Sequence, residues 1–135
     1  MNIERFSGTD ERLYRAVAPL VMNPAVLRQN NNYPFKTSVH FIWFVAFEGE
    51  QVAGFVPVEV KNTRAVINNY YVAGENTGVL SALVEAAAGC LGAEHKLQAV
   101  VLTRDEDVFK GLNFDVTKKW KQYVKMEYRL PLQNG

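Results

Sequence analysis

The sequence predicts an α+β domain: one mixed central sheet of six to seven strands, covered by about four helices. Three observations lead there. Two helix-start signals follow a short N-terminal strand. The middle of the chain alternates apolar strands with short polar turns. The pattern then switches to helical period and returns to strand, which demands a crossover connection. At 135 residues with 48% hydrophobic and 21% charged content, residues 1–135 are expected to form a single domain. Such a chain buries roughly two-thirds of its unfolded surface.

In chain order, Ile3 to Phe6 suits a first strand. Thr9 or Asp10 offers an N-cap, and Leu13, Val17, Leu20 and Val21 recur at helical spacing, with Pro19 expected to end or kink that helix. Asn23-Pro24 is a cap followed by proline in the first helical position, so Ala25 to Gln29 should be a second short helix. Asn30 to Pro34 is loop. His40 to Phe47 carries apolar groups on both faces, as a covered strand does. Glu48-Gly49-Glu50 turns the chain, and Gln51 to Val60 returns, with Pro57 marking a bulge or a break in pairing. Arg64 to Val72 completes the meander. Leu80, Leu83, Val84, Ala87, Ala88 and Leu91 form one apolar helical stripe, with Gly92 as C-cap. Leu97 to Leu102 then runs parallel to the strand before that helix. Asp105 to Leu112 is a short helix, and Phe114 to Trp120 and Tyr123 to Leu130 are a closing pair of strands.

Composition narrows the function. A net charge of +1 gives no reason to expect nucleic acid or an anionic membrane as partner. Lys118, Lys119, Lys121, Lys125 and Arg129 read as charges on a solvated strand face. The single cysteine, Cys90, excludes an intrachain disulfide, fits a reducing compartment and is expected to pack within its small-residue helix. Neither it nor the two histidines has metal-ligand spacing, so no metal is expected. No apolar stretch reaches signal-peptide or membrane-spanning length, and the protein is expected to be cytoplasmic.

The order of elements, over essentially the whole chain, resembles that of the GNAT (GCN5-related N-acetyltransferase) superfamily, and four stretches carry the resemblance. Phe47 to Phe55 is similar to its hairpin with an apolar-Gly-apolar step, and Ile67-Asn68-Asn69-Tyr70-Tyr71-Val72 to its strand before the cofactor loop. Gly78 to Ala87 is similar to the following helix, and Asp107 to Phe114 to its helix-to-strand joint. The resemblance implies acetyl-CoA as cosubstrate and transfer of an acetyl group to an amine, borne by a small molecule or a protein. It implies that Tyr71 and Val72 offer a strand edge to the pantetheine arm. Asn76, Thr77, Gly78 and Val79 would present backbone N–H groups to the diphosphate where the helix opens. A backbone N–H at Tyr71–Val72 would stabilise the oxyanion. Glu59 is the first candidate for general base, with Asp105 and Glu106 behind it, and Tyr71 a candidate to donate or position groups.

Several family positions are substituted. Glu75 stands where the loop has Gln or Arg, Leu80 replaces its last small residue, Phe109 replaces the tyrosine acid, and Asn113 replaces the glycine of the joint. The alternative is therefore a GNAT-like module that binds or regulates without catalysis. Acceptor selection would fall to Asn23 to Phe35 and Trp120 to Met126, and a homodimer through the last strands is left open.

Overall fold

A computed structural model describes residues 1–131. Strand β1 is Asn2–Ser7, followed by helices α1 (Glu11–Val21) and α2 (Pro24–Gln29). Strands β2 (Phe41–Glu48), β3 (Gln51–Lys61), β4 (Arg64–Ile67) and β5 (Tyr71–Val72) form the meander. A 3-10 turn (Ala73–Glu75) leads into α3 (Thr77–Leu91), then β6 (Lys96–Leu102), α4 (Glu106–Lys110), β7 (Phe114–Lys119) and β8 (Tyr123–Tyr128). The strands lie in the order β1-β2-β3-β4-β6-β8-β7, with β5 paired to β3. Among the described residues only β4 and β6 are parallel, joined by the α3 crossover as expected.

The local causes are those of the sequence. Asp10 caps α1 through the Arg12 N–H at 2.8 Å, and Asn23 caps α2 through the Ala25 N–H at 2.8 Å. Pro19 does not end α1, which runs on to Val21. Pro19 is exposed, so the carbonyl it leaves unpaired can turn to water. Gly92 does cap α3, but in the right-handed conformation. Glycine is needed there for space, because a Cβ would stand 2.6 Å from the Tyr128 ring. Asn113 takes the left-handed φ of 71° in place of the glycine of the joint.

Among the described residues the sheet has eight strands, because the third meander strand, expected as one piece from Arg64 to Val72, is split at Asn68–Tyr70. Residues Val58 to Lys61 of β3 pair with β4, and Gly54 and Phe55 pair with β5, so Val56 and Pro57 have no partner on that side. Pro57 thus marks a break in pairing, while the bulge falls opposite Ala46 and Phe47.

Alternate side chains of the sheet feed two cores. Leu13 and Val17 of α1 pack on Phe6, Trp43, Val45 and Phe55. On the other face the stripe of α3, with Val79 added to it, packs on Phe44, Val56, Val58, Ile67 and Leu97. Phe109 of α4 closes that side, with no exposed surface, against Phe114 at 5.2 Å and Tyr70 at 6.0 Å. Cys90 does not pack as expected. It lies one residue before buried Leu91, on the exposed side of α3, where its Sγ accepts from Arg5 Nη1 at 3.1 Å. Among the described residues no helix is long and apolar enough to cross a membrane.

Candidate functional site

The site begins where the parallel pair comes apart. β4 and β6 run in register to Ile67 and Ala99. Beyond that level the first chain continues through Asn68 and Asn69 to β5, bonded only to β3, while β6 continues to Leu102 beside β8. A splay opens between the two strands, and each leaves backbone groups turned towards it.

Protein side chains cross this splay. Tyr70, 5% exposed, donates its hydroxyl to Asp105 Oδ2 at 2.5 Å and accepts from the Leu102 N–H at 3.2 Å. Burial, then the negative charge of Asp105, raise the Tyr70 pKa well above the usual tyrosine range, so the proton stays on the phenol. The C-terminal end of α2 lies across the same place. Gln29 Oε1 accepts from the Val72 N–H at 3.3 Å, and buried Asn30 donates to Asn69 Oδ1 at 2.9 Å. Arg104 donates to the Gln29 carbonyl at 3.3 Å and pairs with Glu75, also at 3.3 Å.

Gly54 fixes how close β5 comes to β3. A Cβ on it would lie 2.7 Å from the Tyr71 carbonyl and 2.9 Å from a Val72 methyl. This is the physical content of the apolar-Gly-apolar step.

The residues expected at a donor site divide into two groups. Val72 turns its N–H into the splay, where a side chain from another element, Gln29, accepts it, and Thr77 and Gly78, both exposed, open α3 with N–H groups that have no helical acceptor. Val79 does not offer one, because its N–H is held by Asn76 Oδ1 at 3.1 Å as the helix cap. Tyr71 turns its ring to the α1 core, 5.5 Å from Phe55. Glu75, at a left-handed φ of 53°, points to Arg104, and Leu80 is buried in the α3 core.

On the α2 side of the splay lies a groove of about 540 Å³ with an adjoining hollow of about 130 Å³; Lys36, Asn68 and Asn69 line both. Tyr33, Trp120 and Tyr123 line the larger part. Glu59 lines the smaller and pairs with Lys61 at 3.5 Å. Glu59 is five residues along β3 from Gly54, the partner of Val72. At strand rise that is roughly 17 Å, a span that water must bridge for any proton transfer. The reserve bases are committed elsewhere: Asp105 to Tyr70, and Glu106 to Lys110 at 2.7 Å and Lys119 at 3.4 Å. The Lys110 hydrogen bond, followed by that of Lys119, holds the Glu106 carboxyl below its usual range despite the opposing effect of desolvation.

Gln29, Lys36 and Arg104 carried no local signal, since each becomes part of the site only through the fold. Asn68-Asn69 did carry one, as a polar pair inside an otherwise apolar strand.

No family model and no curated protein matches the sequence. Solved structures do match the fold. ElaA of Escherichia coli superposes with a TM-score of 0.72 at 10% identity, over 95% of this chain and 99% of that one. GCN5 of Tetrahymena gives 0.73 at 14% identity, over 95% of each. A GNAT family acetyltransferase of Elizabethkingia anophelis, with acetyl-CoA bound, gives 0.64 at 12% identity, over 96% of this chain and 97% of that one. The chain has the GNAT fold.

Proposed function

We propose that this chain is a cytoplasmic N-acyltransferase that moves an acetyl group from acetyl-CoA to an amine held in the groove beside Asn68 and Asn69. The Val72 N–H carries the proposal. It is turned out of the sheet into the splay, and a carboxamide oxygen of Gln29 holds it at 3.3 Å, so the position already receives a carbonyl. An oxyanion forming there would gain a charge-assisted hydrogen bond from a fixed donor. The Tyr71–Val72 edge supports the donor arm, and Thr77 and Gly78, with Asn76 setting the helix start, support its phosphates. Glu59, acting through water in the groove, would take the amine proton. These roles fall within one single-domain chain, so a homodimer is not required by them.

Calorimetry with acetyl-CoA tests the proposal. Wild type should bind, and Gln29→Ala should bind about two- to tenfold more tightly once the competing acceptor is gone. Thiol release with an amine present should follow. Silence from both proteins at millimolar acetyl-CoA would remove the proposal. The alternative, a GNAT-fold module that binds or regulates without transfer, is favoured by Tyr70 crossing the splay and by the Glu75–Arg104 pair. It predicts that silence, together with ligand binding in the groove.

A further inference from the structure

We infer that the groove takes a planar aromatic amine bearing an anionic group. This deepens the proposed acetyl transfer by naming the class of its acceptor. It rests on that proposal only for the fate of the amine, since ring recognition stands without it.

Three rings meet in the groove. Tyr33 is 56% exposed and Trp120 45% exposed, so two large aromatic side chains lining one groove face water. Their setting is fixed. Tyr33 packs edge-on against Tyr123 at 6.4 Å, and Asn31 Nδ2 donates to the Tyr123 hydroxyl at 2.8 Å. The Trp120 backbone N–H bonds the Tyr123 carbonyl at 2.8 Å. The two tyrosine rings held this way, with the Trp120 indole beside the anchored backbone, present faces and edges for stacking a flat ligand at small entropic cost.

The polar groups suit an amine on such a ring. The Asn68 carboxamide and the Asn69 Nδ2 have no hydrogen-bond partner among the described residues, while Asn69 Oδ1 is taken by Asn30. They offer donors and an acceptor to the edge of a planar group. Charge selects further. Lys36 is the charged residue among those lining the larger part, and it has no ion pair among the described residues. Lys118 adds a second cation over the Trp120 ring at 5.1 Å. The carboxylate of the adjoining hollow, Glu59, is paired with Lys61. A groove of this sign repels an ammonium group and favours a carboxylate or phosphate on the ligand.

The two tryptophans provide the test. Trp43 is 2% exposed in the α1 core, and Trp120 lines the groove, so their indole N–H signals in a proton–nitrogen spectrum separate fold from site. Titration of the whole chain with 4-aminobenzoate, without acetyl-CoA, should move the Trp120 signal and leave Trp43 in place. Aniline should bind about three- to fivefold more weakly, as should 4-aminobenzoate to Lys36→Met. Trp120→Ala should weaken binding about tenfold or more by calorimetry, with the Trp43 signal unmoved. The inference is overturned if spermidine moves Trp120 as readily as 4-aminobenzoate, or if neither aromatic probe moves it at millimolar concentration. Should 4-aminobenzoate bind while acetyl-CoA does not, ring recognition stands and acetyl transfer falls.

Discussion

Removal of one oxygen atom tests how the splay is held. Tyr70→Phe keeps the ring that packs on Phe109 but deletes the hydroxyl linking Asp105 to the Leu102 N–H. Two groups lose partners: a carboxylate whose side chain is 12% exposed and a backbone donor on a buried residue. Leaving a buried donor unsatisfied costs about 1–3 kcal/mol, and a hydrogen bond to a charged group contributes about 1.5–3. Allowing for overlap and for water entering the space, a loss of about 2–4 kcal/mol is expected. Unfolding entropy for a chain of this length converts each kcal/mol to about 3–4 °C, so Tm should fall by about 7–14 °C. Alkaline pH gives an independent readout. The folded-state pKa of Tyr70 is raised from 10.0, so its contribution is full below pH 10 and declines as pH rises and the unfolded phenol ionises. Wild type should therefore lose up to about 1.4 kcal/mol per pH unit above that point relative to Tyr70→Phe. Urea unfolding of both proteins from neutral to alkaline pH measures both effects. Equal midpoints at neutral pH, or a gap that does not narrow above pH 10, would refute the bridge.

Two further substitutions probe the same region. Gly54→Ala places a Cβ 2.7 Å from the Tyr71 carbonyl, so it should cost about 1–3 kcal/mol in urea unfolding and raise amide exchange at Tyr71 and Val72. Unchanged exchange there would show that Gly54 does not set the approach of β5. Phe109→Tyr introduces the tyrosine that the GNAT resemblance would put at this position, yet the ring has no exposed surface. It should destabilise the protein by about 1–3 kcal/mol and leave any acetyl transfer no faster, as thermal unfolding and a thiol-release assay would show.

Much of the fold was legible because its causes are local. Asp10 and Asn23 cap their helices through their own side chains, and the stripe from Leu80 to Leu91 needs only a helical period to declare its buried face. The crossover length alone makes β4 and β6 parallel. Gly92 caps α3 as expected, with the Tyr128 ring adding a need for space, whereas Pro19 does not end α1, because it faces solvent. Cys90 is exposed despite its small-residue helical run, because one residue along a helix turns a side chain by about 100° and carries it off the buried face.

The sequence by itself determined the order of elements, through short-range preferences written in consecutive residues, but not where β4 and β6 part at the splay. Tertiary structure alone decided what occupies that place. Gln29 reaches Val72 across 43 positions, Tyr70 reaches Asp105 across 35, and Arg104 meets both Gln29 and Glu75. No periodicity or capping rule pairs residues so far apart. Their meeting depends on how α2 seats over a sheet that has parted, and on the low dielectric that makes each polar group there seek a partner.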